Sequence, residues 1–469
     1  MKKIFTFLLS CTALGAMSQT PCSGGSAGPY DCNGFDLQSE ISLNEMDASL
    51  GNDSWGWTDP QDGKEYALIA LNNGTAFIDI SNPTNPRYLG KLPTETDSST
   101  WRDVKVYQNH AFIVSEAPGH GMQVFDLTRL RDVSSPPEEF DTDGFYGGFG
   151  NCHNIVINED SGFAYAVGSD TFASGPHFID ISDPTAPQAA GGFSSSGYSH
   201  DAQVVIYNGP DTDYIGREIL ISSNANDVII LDVTNKSNPT LIAEFGYPNV
   251  GYTHQGWFTE DQRYFLLGDE LDEINGIGNT RTIVFDFSDL DNPELDFEYD
   301  GPTGAIDHNG YVKDGKYYMA NYTAGLRVID VTDIANGNMN EVGFFDSHPE
   351  SDNTEFEGAW SVYPYFASGN IVISDINRGF LLVRDPSLGA NDTNKELFTM
   401  LPNPATTSIT IQSSKTPLQK VEIFNILGQQ VANYSFTGVM SNTFSIHSFN
   451  SGMYLVTING SSTKRLIVK

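Results

Sequence analysis

One short motif recurs along this chain and limits what it can fold into: a run of apolar residues, then Asp, one more apolar residue, then Ser or Thr. It reads Phe77-Ile78-Asp79-Ile80-Ser81, Val124-Phe125-Asp126-Leu127-Thr128 and Phe178-Ile179-Asp180-Ile181-Ser182. It returns as Ile230-Leu231-Asp232-Val233-Thr234, Val284-Phe285-Asp286-Phe287-Ser288 and Val328-Ile329-Asp330-Val331-Thr332. A seventh, degenerate copy is Leu382-Val383-Arg384. Successive motif Asp residues stand 44 to 54 positions apart. Turn dipeptides follow four copies, at Asn82-Pro83, Asp183-Pro184, Asn238-Pro239 and Asn292-Pro293. Proline ends a strand there because it has no N–H for the ladder. Each motif Asp is expected to accept a hydrogen bond from the turn after it, a structural role.

Each period holds about four short β-runs. In the first they lie near Trp55–Thr58, Tyr66–Leu71, Ala76–Ile80 and Arg87–Leu92, separated by turns such as Asp62-Gly63 and Asn73-Gly74. Four strands per repeat of this length is the period of a propeller blade, so the expected fold is all-β, a seven-bladed β-propeller over residues 33–386. The seventh unit stops after its motif strand at Asp385. Leu37–Leu43 alternates apolar and polar residues and is expected to supply the missing outer strand, closing the ring and removing an open edge. Residues 19–32 read as a leader, 387–397 as a linker, and 398–469 as a small β-sandwich.

The start reads as a secretory signal over residues 1–18. Lys2-Lys3 precedes the apolar run Ile4 to Ala16, with small residues before Gln19. That run is too short to span a bilayer as a helix, and no other segment qualifies as a transmembrane span. Export supports a disulfide between Cys22 and Cys32, and leaves Cys152 as a small buried residue at a strand start. The net charge is −36, and all of the negative excess lies before residue 398. The tail holds Lys415, Lys420, Lys464, Arg465 and Lys469 against the single acid Glu422. Such an acidic body repels nucleic acid and anionic membranes, so neither is an expected partner.

The repeat resembles the LVIVD repeat. The stretch from Cys22 to Asp385 resembles the choice-of-anchor B family of bacterial extracellular proteins. The residues that carry this include Trp55-Gly56-Trp57-Thr58-Asp59-Pro60, Gly119-His120-Gly121-Met122, Tyr252-Thr253-His254-Gln255-Gly256-Trp257 and Gly358-Ala359-Trp360-Ser361. The tail is similar to a type A sorting domain of the type IX secretion system of Bacteroidota. Leu401-Pro402-Asn403-Pro404, Val421-Glu422-Ile423-Phe424-Asn425-Ile426-Leu427-Gly428, Ser451-Gly452-Met453-Tyr454 and the basic end carry that match. The resemblance implies a secreted or cell-surface protein that meets the type IX machinery through residues 398–469, which are removed after export. It implies no activity.

Four successive inner strands open on His153-Asn154, His200-Asp201, His254-Gln255 and His308-Asn309, with Asp103 and Glu357 near the corresponding places in two other blades. A second ring follows the second strand of each blade and includes Glu116, Asp170, Asp269 with Glu270, and Asp375. Strands of a meander alternate in direction, so both rings are expected at one mouth of the central channel, with Asp201 beside them. Three readings follow. The histidines hydrogen-bond to neighbouring blades, as packing residues do. Or imidazoles and carboxylates hold a divalent metal, with nitrogen ligands suiting a transition metal and carboxylates alone suiting calcium. Or a histidine acts as a general base beside an acid.

The reading taken first is a binding or scaffold module, not an enzyme, whose mouth takes an extracellular glycan or protein ligand. The alternative is a metal-dependent extracellular hydrolase or lyase. A purely structural surface protein would leave the mouth plugged by side chains.

Overall fold

The computed structural model describes residues 19–386, 398–403, 405–413, 417–425, 429–459 and 462–468. The signal-peptide reading of residues 1–18 and the linker reading of 387–397 lie outside the described residues. The chain divides into two compact units, Met1–Arg384 and Asp385–Lys469. No helix among the described residues is long and apolar enough to cross a membrane.

In the first unit the β-runs form seven sheets. Their inner strands are Gly51–Thr58, Arg102–Tyr107, Asn154–Asn158, Asp201–Ile206, Thr253–Phe258, Gly310–Lys313 and Ala359–Tyr363. Each touches the next, and the last touches the first, so the sheets stand around a channel as the blades of a β-propeller. The motif strands lie third from the channel and are almost wholly buried; Phe77, Phe125, Phe178 and Ile230 have no exposed surface. Every motif Asp accepts a hydrogen bond from the backbone two residues on: Ser81, Thr128, Ser182, Thr234, Ser288 and Thr332 donate at 2.8–3.0 Å. A side-chain acceptor there starts the turn and satisfies an N–H that the ladder has abandoned.

The blade without an outer strand takes Asp36–Ser42, which runs antiparallel to Gly379–Arg384. The pairing reproduces a detail of the other blades. In five of them the register slips by one residue beside the motif, as between Phe77 and Ile78. The N-terminal strand slips in the same way, with Leu37 opposite Val383 and Ser39 opposite Leu382. A strand from the other end of the sequence thus occupies the outer-strand position with its bulge.

Residues 19–32 differ from the expected leader. Ser26–Ala27 and Tyr30–Asn33 extend the sixth blade by two strands, with Cys32 opposite Phe345. Cys22 and Cys32 are joined by a disulfide that staples this extension. Ala27, Tyr30 and Cys32 are buried in the core shared by the sixth and seventh blades. Cys152 is buried, and its Sγ faces the carbonyls of Asn154 and Val167.

Side-chain amides and carboxylates on the inner strands stitch adjacent blades. Asp103 accepts from the Ile155 N–H at 2.8 Å, Gln203 from Phe258 at 2.8 Å and Gln255 from Gly310 at 3.0 Å. The second unit is two sheets around its own core. Phe398–Leu401, Ser408–Ser413 and Ser441–Ser445 form one sheet; Gln430–Val439, Leu418–Asn425, Gly452–Ile458 and Ser462–Val468 form the other. Ile409, Ile411, Val421, Ile423, Phe444 and Val456 lie between them.

The Gly119-His120-Gly121 turn gives a pH-dependent prediction. Both glycines have positive φ, and a Cβ on Gly121 would meet the Tyr146 carbonyl at 2.7 Å. His120 is fully buried; its Nδ1–H faces the Gly121 carbonyl at 3.0 Å and its Nε2 accepts from the Arg102 guanidinium at 2.8 Å. Burial, and then the Arg102 charge, lower its pKa from 6.5 to about 4. Between those values the unfolded chain binds a proton that the fold refuses, so this group's contribution falls as the pH falls. The loss is about 1.4 kcal/mol per pH unit, or roughly 3 kcal/mol by pH 4. Urea unfolding of the parent and of His120→Gln at pH 7.5 and pH 4 is expected to show the parent losing that much relative to the variant. A difference independent of pH would contradict the neutral buried ring.

Candidate functional site

The starts of the inner strands build one mouth of the channel. His153 and His200 immediately precede Asn154–Asn158 and Asp201–Ile206, His254 is the second residue of Thr253–Phe258, and His308 stands just before Gly310–Lys313. Equivalent places in successive blades set the imidazoles in a staircase. Ring centroids are 4.2 Å apart for His153 and His200, and 4.3 Å apart for His200 with His254 and His254 with His308. Trp360 continues the series, 4.8 Å from His308.

The outer edge of these rings is used for packing. His200 Nδ1 faces the His254 carbonyl at 3.1 Å, and His308 Nδ1 faces the Trp360 carbonyl at 2.5 Å, each across to the next blade. A carbonyl only accepts, so Nδ1 carries the hydrogen and Nε2 keeps its lone pair. His153 Nδ1 bonds Glu116 at 2.6 Å. His254 departs from the pattern: its Nδ1 is buried without a hydrogen-bond partner. Burial, and next the neighbouring imidazoles, hold His200 and His254 well below the usual histidine range. Burial lowers His308 to about 4. At neutral pH these three are uncharged bases.

The inner edge faces a cavity of about 460 Å³. Its floor is the four histidines and Glu270, and its walls include Trp101, Tyr322, Phe356 and Trp360. Glu270 stands 3.7 Å from both His254 Nε2 and His308 Nε2 and accepts from the Tyr322 hydroxyl at 2.8 Å. Burial raises its carboxyl to about 7, against the Tyr322 hydrogen bond. His254, Glu270 and His308 each offer one ligand atom within 4.8 Å of the others, a set able to hold a metal ion.

The remaining acids expected at the mouth are spent elsewhere. Asp103 and Asp201 do not line it. Lys105 reaches Asp103 at 2.5 Å and Asp53 at 2.8 Å, a buried triad. Burial raises Asp201 to about 7. Asp170 accepts from the Gly150 N–H, and Asp375 from Asn377 and Arg378. Asp269 accepts from Gly251, Tyr252 and the Tyr247 hydroxyl. Glu357 is half-exposed, 3.6 Å from His348. For Asp170, Asp269 and Asp375 the reason is that an acid at a strand end satisfies loop N–H groups before it can face a channel. Phe356 and Tyr322 of the aromatic wall were not among the residues that the sequence pattern marked as a site.

Residues 399–469 match the secretion system C-terminal sorting domain, and residues 64–94 and 220–246 match the LVIVD repeat. A search of curated proteins gives no match. Among solved structures, the chain is similar to PorZ, an essential bacterial surface component of the type-IX secretion system of Porphyromonas gingivalis. The identity is 13% and the TM-score 0.44, over 87% of this chain and 58% of that one. It is also similar to the β-propeller domain of Myceliophteria thermophila Cps50 (Swd1), at 10% identity and a TM-score of 0.45 over 68% and 93% of the two chains. Kuenenia stuttgartiensis hydrazine synthase follows at 12% and 0.46, over 76% and 93%. Likeness at these values carries no functional argument. What the matched segments establish is that this chain joins LVIVD repeats, folded as a β-propeller, to a C-terminal sorting domain for type IX export to the cell surface or beyond.

Proposed function

We propose that the chain is an exported binding module that holds an extracellular glycan in the His-lined mouth of its propeller, delivered as a mature protein after loss of the signal peptide and the tail. The observation that carries this is the open recess itself. A structural ring fills its channel mouth with side chains, whereas here about 460 Å³ stays open over a polar floor. That volume lies in the range of small-ligand sites. Trp101 and Phe356 are 45% and 48% exposed at its edge, large apolar faces held toward solvent. Aromatic faces beside fixed polar groups suit a sugar, whose ring has an apolar face and a polar rim.

The test is binding of the fluorescent full-length protein to an array of extracellular glycans, repeated with Trp101→Ala. The expected result is one bound glycan class, with affinity reduced at least tenfold in the variant at an unchanged melting temperature. Equal binding by the variant, or no binding by either, contradicts a glycan site at this mouth. The second reading, a metal-dependent hydrolase or lyase, draws on the two imidazoles and one carboxylate. It requires chelator-sensitive cleavage of the bound glycan.

A further inference from the structure

We infer that His254, Glu270 and His308 bind one divalent transition-metal ion in the mouth, which rests on the reading of that mouth as the ligand site and gives it a Lewis-acidic centre. The first ground is a contact between an imidazole lone pair and a carboxyl group that, once ionised, only accepts. The Trp360 carbonyl takes the Nδ1 hydrogen of His308, so His308 Nε2 presents a lone pair. That lone pair faces Glu270 Oε1 at 3.7 Å. Two acceptors aimed at each other, too far apart for a hydrogen bond, leave room for a cation between them.

The second ground is spacing. Ligand atoms about 2.0–2.2 Å from one ion lie roughly 3–4 Å from each other. Glu270 stands at 3.7 Å from each imidazole nitrogen, through a different oxygen in each case. The third ground is His254. Its ring is 2% exposed, and its Nε2 is beyond hydrogen-bond distance of Glu270. A metal on Nε2 gives that nitrogen a bond that the protein does not supply.

The surroundings hold the ligands in place. The Trp360 carbonyl orients His308, and the Tyr322 hydroxyl fixes Glu270 at 2.8 Å. Such outer partners set the tautomer and direction of metal-binding side chains. Two imidazole nitrogens and one carboxylate oxygen select zinc, iron or manganese over calcium, which takes six to eight oxygens. Three protein ligands leave coordination positions open toward the cavity.

The experiment uses the full chain, purified without a histidine tag and stripped with chelator. Zinc is titrated by calorimetry, and cobalt by visible absorption, into the parent, Glu270→Gln, His308→Ala and Trp101→Ala. The expected result is one equivalent bound, affinity lowered about 10–100-fold by Glu270→Gln and further by His308→Ala, and no change in Trp101→Ala. Glu270→Gln keeps an acceptor for Tyr322, so it tests the site even if His308→Ala fails to fold. Several weak equivalents indifferent to these variants would mean surface carboxylates only and would overturn the inference. The two readings fail separately: glycan binding without a stoichiometric metal removes the metal, and metal binding without any glycan removes the glycan.

Discussion

A chain lacking residues 19–43 is expected to lose its cooperative thermal transition, or to melt at least about 10 °C below the parent. The closing strand Asp36–Ser42 brings Leu37 and Ile41 into the core, and Leu43 follows it there; each is less than a tenth exposed. Burial of such a side chain contributes about 1.5–3 kcal/mol, so the three together approach the net stability of a typical domain, roughly 5–15 kcal/mol. Deletion also bares the edge of Gly379–Arg384 and removes the disulfide-stapled extension of the sixth blade. The paired substitutions Leu37→Ala and Ile41→Ala keep the backbone and are expected to cost about 2–5 kcal/mol each. A melting curve unchanged by the deletion would contradict closure by this strand.

Closure was legible because it follows from local arithmetic. The seventh motif had no outer strand, Leu37–Leu43 had the alternation of one, and the two needs matched. The strands Ser26–Ala27 and Tyr30–Asn33 were not legible: they are too short to show alternation, and Tyr30–Asn33 is fixed by backbone pairing to Phe344 and Phe345, over three hundred residues away, with Ser26–Ala27 pairing onto it in turn. The histidine ring was readable because it repeats with the blades. The acid ring was readable only in part. Of the adjacent pair Asp269-Glu270, one side chain satisfies loop N–H groups and the other faces the cavity, and spacing alone does not say which. Trp360 continues the histidine series, but Phe356 and Tyr322 carry no repeat and emerge only when the loops are placed.

The second large effect is expected from the tail. Its two sheets enclose a core of their own, with Ile409, Ile411, Val421, Ile423, Val456 and Ile458 fully buried. The clusters between the blades are made within residues 27–383. Removing residues 398–469 is therefore expected to leave the propeller's melting temperature within about 2 °C of the parent, because these clusters are built from the propeller's own residues. What it removes is the address. Cargo that has entered the periplasm then has no means to engage the type IX machinery, and export is expected to fall to background rather than by a fraction.

The claim that the propeller is cargo and the tail its address is tested most directly by cell fractionation in a host with type IX secretion, comparing the full chain with one ending at residue 397. The account predicts that the full chain yields mature product on the cell surface or in the medium, and that the truncated chain yields folded product in the periplasm. Equal amounts of both forms outside the cell would contradict it.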